Sequence, residues 1–274
     1  MSRKGVALVA ALLLALGFAA PNALFADTSI TAAGSTALLP LVKASAEQYQ
    51  KANPSIQISV SGGGSNVGLT NVAQKAVDIG DSDILPPKPM PGLVDHRVCV
   101  VAFAVIASPN TGVTGLNKKQ LQDIFSARVT NWKQVGGKDQ RITVINRPRS
   151  SGTRAVFVKV IMGTNPIADS GLVEDASGTV VSTVKTTPGA ISYVATGYTR
   201  GQGVAELKVD GTPPTDANVI SGKYPIWSYE HMFTNGPATK DVARFLTFVE
   251  TRSVLVHKLG YLLIRDMKVS ENDR

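Results

Sequence analysis

Three times along this chain an apolar or alternating run stops in a turn of Ser, Thr and Gly, and a helical pattern begins directly after it. The turns are Ala33-Gly-Ser-Thr-Ala37, Ser61-Gly-Gly-Gly-Ser-Asn-Val-Gly68 and Arg147-Pro-Arg-Ser-Ser-Gly-Thr153. Strands that hand over to helices through such turns point to an α/β architecture with mixed sheets flanked by helices. Ser29–Ala33 reads as a strand and Leu38–Gln50 as a helix with Leu38, Leu41, Val42, Ala46 and Tyr49 on one side. A strand at Ile56–Val60, a helix near Asn66–Ala76 and a strand at Val77–Ile79 follow. The apolar run Val98–Ala107 is long enough for a central strand that leaves one domain and enters another. Beyond it, Asn117 caps a helix over Lys118–Phe125, Ile142–Ile145 is a strand, and Ser151–Met162 is a helix. Gly189–Val194 is again a strand, Tyr224–Phe233 is extended and crosses back, and helices close the chain at Lys240–Glu250 and Ser253–Ile264.

The turns carry the chemistry. A helix start presents N–H groups with no intrahelical partner and the positive end of a dipole, so it holds an anion with little help from charged side chains. Small residues let the backbone come close to a tetrahedral oxyanion. Each turn alone also fits an ordinary cap; three in one chain, one with arginines, point to a shared anion site. A fourth segment, Asp78-Ile-Gly-Asp-Ser-Asp-Ile84, packs three carboxylates into a short span. It reads either as a solvated acidic turn or as the acceptor side of that site. A calcium loop would need a further ligand series and a distal glutamate, which do not follow.

The N-terminus has Arg3 and Lys4, an apolar stretch from Val6 to Ala20, and small residues ending at Ala26. That is the layout of a cleaved secretory signal peptide over residues 1–26, and it implies a periplasmic location. The apolar stretch is short for a membrane span, which needs about 20 residues. The chain has 28 Lys and Arg against 20 Asp and Glu, and two of the cations lie in the signal segment. The remaining surplus suits an anionic ligand but is spread along the sequence, and aromatics are only 6% of residues. Nucleic-acid binding would want a basic cluster with interleaved aromatics, so none is expected. Cys99 lies in the apolar run and is expected to be a buried thiol, while His96, His231 and His257 are scattered. No metal and no cofactor are expected.

Taken together and in order, the four segments resemble the phosphate-binding proteins of bacterial phosphate ABC transporters. The stretches Leu121–Trp132, Gly189–Val194 and Tyr224–Gly236 are similar to that family outside the loops. The resemblance implies a two-lobed periplasmic-binding-protein-like fold joined by two crossover strands. Lobe I is expected over 27–107 and 229–274, and lobe II over 108–228. It also implies the contacts: Thr36 and the N–H of Ala37 from the first loop, Ser65 from the second, Asp83 from the aspartate segment. Arg147, Ser151, Gly152 and Thr153 come from the arginine loop. The implied partners are inorganic phosphate and the permease subunits of an ABC transporter, with the chain acting as a monomer.

Near neutral pH phosphate keeps a proton that sulfate lacks, so a buried carboxylate at Asp83 can accept from P–OH and repel sulfate. Two positions depart from the family pattern: Arg149 follows Arg147 two places on, and Asp81 precedes the Ser-Asp pair. The expectation is that Asp81 and Arg149 pair beside the site and leave its net charge unchanged. The alternatives are an oxyanion-binding module used for sensing, a pocket tuned to arsenate or a phosphonate, and a secreted phosphatase. The last lacks a G-x-S-x-G nucleophile turn and a histidine near the loop serines. A binding protein rather than an enzyme is expected.

Overall fold

In a computed structural model, which describes residues 28–169 and 171–271, the first loops sit at the ends of parallel strands. The expected signal peptide lies outside the described residues. β1 (Thr28–Gly34), α1 (Leu39–Ala52), β2 (Ile56–Ser61), α2 (Ser65–Ala73) and β3 (Ile79–Ser82) follow one another, and β1 pairs in parallel with both β2 and β3. β4 (Leu93–Ala107) comes next, then the short β5 (Gly115–Leu116), α3 (Lys118–Phe125), β6 (Thr143–Asn146) and α4 (Gly152–Phe157). β7 (Leu172–Val173), α5 (Ser177–Thr186), β8 (Ala190–Ala195), β9 (Ala205–Val209) and α6 (Asp216–Ile220) complete this middle part. β10 (Trp227–Asn235), α7 (Lys240–Glu250) and α8 (Ser253–Lys258) end the chain.

The strands lie in the order β2-β1-β3-β10-β4-β8-β6-β7, with β9 also on β4 and β5 on β9. β4 holds the arrangement together. Its residues up to Ala102 register antiparallel with β10, and Phe103–Ala107 register antiparallel with β8. The predicted apolar run is therefore one continuous strand, buried from Val98 to Ala107. Burial of a large side chain such as Phe103 or Ile106 stabilises by about 1.5–3 kcal/mol each, which makes β4 an expensive element to displace. Cys99 is buried within it, as expected.

Several helices match their sequence signals closely. α3 starts at Asn117, whose side chain accepts from the Gln120 N–H while the Gln120 side chain accepts from the Asn117 N–H. α7 buries Val242, Phe245, Leu246 and Val249 on one face. Others differ. The strand expected at Val77–Ile79 lies at Ile79–Ser82, so the aspartate segment is itself a strand and not a turn after one. The helix expected over Ser151–Met162 is α-helical only to Phe157 and widens into a π turn over Val158–Met162. The last helix stops at Lys258, because Gly260 takes a left-handed φ of 86°.

Candidate anion-binding site

β1 must come very close to β3 for the first loop to form. A Cβ on Gly34 would stand 2.0 Å from the Asp81 carbonyl oxygen, so only glycine fits there. The next residue then turns inward: the Ser35 N–H donates to that same carbonyl at 2.8 Å. Ser35 Oγ accepts from the N–H groups of Ala37 and Leu38 and donates to Asp83 Oδ1. Pro40 in the first turn of α1 has no N–H to lose and a φ already suited to the helix.

The second loop closes on the first through the Gly64 N–H, which donates to the Gly34 carbonyl at 2.8 Å. Ser65 opens α2, and its Oγ accepts from the Asp83 N–H at 2.9 Å, leaving its own proton to donate elsewhere. The third loop meets both. The Asn66 N–H donates to the Ser150 carbonyl and Asn66 Nδ2 donates to the Arg149 carbonyl, each at 3.0 Å. Thr153 Oγ1 donates to Asp83 Oδ2 at 2.8 Å. Ser151 caps α4, its Oγ accepting from the Arg154 N–H. Gly152 lies where the loops touch, since a Cβ there would be 2.1 Å from Ser65 Oγ.

Arg147 is 1% exposed, and no carboxylate forms an ion pair with it among the described residues. Its Nε donates to the Glu174 carbonyl at 2.9 Å, and Nη2 donates to the Asp175 carbonyl at 2.9 Å and to Thr36 Oγ1 at 3.1 Å. Nη1 is buried and has no partner. A buried guanidinium without a counter-charge is costly, because removing a charge from water outweighs what neutral acceptors return. Burial accordingly lowers its pKa, against the opposing influence of Asp83. The missing counter-charge is what an anion would supply.

Asp83 supplies the opposite character. It is 2% exposed, and burial raises its pKa, opposed by the hydroxyls of Ser35 and Thr153, by the charge of Arg147 and by Ser65. Its two oxygens offer about four lone-pair directions, of which two are taken by these hydroxyls. The cluster thus combines hydroxyl and guanidinium donors with a single buried acceptor.

Of the residues singled out in sequence, Thr36, Ser65, Asp83, Arg147, Ser151, Gly152 and Thr153 come together from the three loops and the aspartate strand. Ala37 is adjacent, with its N–H engaged by Ser35 Oγ. The expected pairing of Asp81 with Arg149 does not form. Arg149 is exposed and contributes its carbonyl, whereas Asp81 is fully buried with no hydrogen-bond partner on either carboxyl oxygen. Asp81 lies in β3, where every residue is buried, whereas Arg149 lies at the surface, so the two side chains do not meet.

Other contributors were not anticipated. Ser177 opens α5, its N–H donates to Thr36 Oγ1 at 3.3 Å, and its hydroxyl lies 3.1 Å from the same atom. Tyr198 Oη donates to the Thr36 carbonyl and Tyr261 Oη to the Ala37 carbonyl. A signal for Ser177 was present, because Ser177-Gly-Thr179 repeats the Ser-Gly-Thr of 151–153. A cavity of about 520 Å³ is lined by Ile124, Thr130, Arg141 and their neighbours and shares no residue with these loops.

The chain matches the family model of the PBP superfamily domain over residues 20–252. It is 42% identical to the phosphate-binding protein PstS of Bacillus subtilis over 255 residues, covering 90% of this chain and 84% of that one. Phosphate-binding protein PstS of Borreliella burgdorferi is 28% identical, covering 86% of this chain and 90% of its own. Among solved structures, a Clostridium perfringens protein with bound phosphate superposes with a TM-score of 0.81 at 27% identity, covering 86% of this chain and 99% of that one. An ABC-type phosphate transport receptor from Vibrio cholerae superposes with a TM-score of 0.71 at 25% identity, covering 85% and 99%.

Proposed function

The chain belongs to the phosphate-binding PstS proteins of the PBP superfamily, and from that premise we propose that its enclosed cluster captures inorganic phosphate for delivery to an ABC-type permease. The family is one of binding proteins rather than enzymes. The observation that carries the reading is the buried Arg147 guanidinium, unpaired by any carboxylate among the described residues, with Nη1 unsatisfied while Nη2 is held by Thr36. Phosphate oxygens accept from Arg147 Nη1, from the hydroxyls of Thr36, Ser65 and Ser151 and from the N–H of Gly152, while Thr153 and Ala37 line the same space with their donors held by Asp83 and by Ser35 Oγ. The buried oxygens of Asp83 accept from P–OH. Sulfate has no proton to offer there, and a like-charge contact in a site so dry costs on the order of several kcal/mol.

Access requires movement. Ser35, Thr36, Ser65, Asp83, Arg147, Ser151 and Thr153 are each at most 6% exposed, so the described arrangement is a closed one. We read residues 27–107 with 229–274 as lobe I and 108–228 as lobe II. The hinge lies where β4 exchanges β10 for β8 and where the chain re-enters β10. Opening separates Asn66 from the carbonyls of Arg149 and Ser150 and Thr36 from Ser177. Each such hydrogen bond contributes about 0.5–1.5 kcal/mol, so a bound anion bridging the lobes is decisive for closure. Among the described residues no helix is long and apolar enough to cross a membrane. We place the mature protein in the periplasm as a monomer, exported by a cleaved signal peptide at 1–26.

Calorimetric titration of the ligand-stripped chain tests this reading. Phosphate is expected to bind one-to-one and sulfate not at all, with arsenate, which carries a proton at the same pH, competing against phosphate. Heat from sulfate equal to that from phosphate would sink the role of Asp83.

A further inference from the structure

Beneath the anion cluster lies a second acidic group that the loops do not account for. Glu230 in β10 is fully buried, and neither of its carboxyl oxygens has a hydrogen-bond partner. Its position follows from the ladder. β10 runs antiparallel to β3 with Met232 opposite Asp81 and His231 opposite Ser82, and at the bulge that follows His231 it sets Glu230 opposite Cys99 of β4. With both groups ionised neither can donate to the other, but the two carboxyls lie within hydrogen-bonding reach.

Among the described residues the charged groups that act on Glu230 are all acidic. Asp81 and Asp83 come from β3, Cys99 from the opposite register of β4, Tyr198 and Tyr261 from the loops around the site, and Glu271 from the end of the described chain. Burial raises the pKa of Glu230 well above the ordinary range, and the carboxylates of Asp83 and Asp81 raise it further. Asp81 is raised by burial too. Among the described residues Arg147 is the cation that acts on Asp83, which it does without pairing with it. Three ionised carboxylates cannot share that space, and Glu230 is the one whose ionisation the others oppose.

We propose that Glu230 is a positioning residue for anion selectivity, a neutral carboxylic acid that donates its proton to the Asp83 carboxylate and so keeps Asp83 an acceptor for P–OH. The inference rests on the reading of Asp83 as that acceptor. It fills the lone pairs of Asp83 completely: Ser35, Thr153, Glu230 and the P–OH make four donors for about four sites. Without the Glu230 proton, Asp83 is a desolvated carboxylate with fewer donors and takes up a proton more readily. A protonated Asp83 is itself a donor, which suits sulfate as well as phosphate.

The test is the ratio of sulfate to phosphate dissociation constants, measured from about pH 5 to about pH 9, for the wild-type chain, Glu230→Gln and Glu230→Leu. The amide of Glu230→Gln still donates, so its ratio should stay within about threefold of wild type. Glu230→Leu should narrow the ratio by about tenfold or more at the acidic end, about 1.4 kcal/mol. Wild-type phosphate affinity should weaken at alkaline pH as Glu230 ionises, and Glu230→Gln should lack that step. Urea midpoints report folding of each variant; if the leucine protein does not fold, the alkaline step in wild type against Glu230→Gln decides. Wild-type selectivity in Glu230→Leu, equal loss in both variants, or an alkaline step retained by Glu230→Gln would overturn the proposal. Failure of the wild-type chain to prefer phosphate, or unaltered selectivity in Asp83→Asn, would instead bring down the reading of the site beneath it.

Discussion

Replacing Gly152 by alanine puts one methyl group where the loops meet. Its Cβ would be 2.1 Å from Ser65 Oγ and 2.9 Å from Asp83 Cβ, both closer than real contacts allow. Neither neighbour gives way cheaply, because Ser65 Oγ is held by the Asp83 N–H and Asp83 is held by Ser35 and Thr153. Overpacking of this kind costs about 1–3 kcal/mol. The cost arises only while the second and third loops are together, so the protein relieves it by opening. Charged against closure, it weakens phosphate binding by roughly 5- to 150-fold. Stability without ligand should not fall, since alanine is favoured over glycine in a helix by up to about 1 kcal/mol and Gly152 is the first residue of α4. Calorimetry for affinity and thermal unfolding of the ligand-free variant separate the two effects. Wild-type affinity in Gly152→Ala would refute the argument, because Ser65, Asp83 and Gly152 would then not be together when phosphate is bound.

Three other outcomes are expected. Arg147→Lys should bind phosphate no better than about a hundredth as tightly as wild type, because an ammonium cannot reach Thr36 and the carbonyls of Glu174 and Asp175 with a donor to spare; equilibrium dialysis would show it. Ser177→Ala should weaken phosphate binding by about fivefold, in line with about 1 kcal/mol for the contact with Thr36, and leave urea unfolding of the ligand-free chain nearly unchanged. Asp81 holds a proton in the folded state at pH values where the unfolded chain has released it, since burial raises its pKa. Its contribution is intact below the ordinary aspartate range and is lost as pH rises toward the folded value, at about 1.4 kcal/mol per pH unit. Asp81→Asn should therefore gain on wild type as pH rises in denaturant titrations, and a constant difference across pH would contradict the assignment.

The loops were legible because their chemistry is local. Gly34, Ser65 and Gly152 are needed by turns and helix starts that a few adjacent residues define, and Arg147 with Asp83 announced their charges. Long-range register was not legible. The placement of Asp81 and Glu230 depends on how β3 lies against β10, and no local pattern says that two carboxyls on different strands share one face. α5 was missed for another reason. Its sequence SGTVVSTVKT is made largely of β-branched and hydroxyl residues, which favour strands or caps, and only the packing of Val180, Val181 and Val184 makes it a helix. With α5 went Ser177 and the carbonyls that hold Arg147. Asp81 and Arg149 do not pair because opposite charges on segments that meet in the fold need not face one another: Asp81 is buried and Arg149 is at the surface.

Equilibrium dialysis of the ligand-stripped, full mature chain against radiolabelled phosphate, with unlabelled sulfate in large excess, addresses the central claim most directly. The enclosed cluster predicts one phosphate retained per chain, undisturbed by sulfate and released when Arg147 is replaced by alanine. Retention of no phosphate, or retention unaffected by Arg147→Ala, would mean that the buried guanidinium and the loops around it do not form a phosphate site.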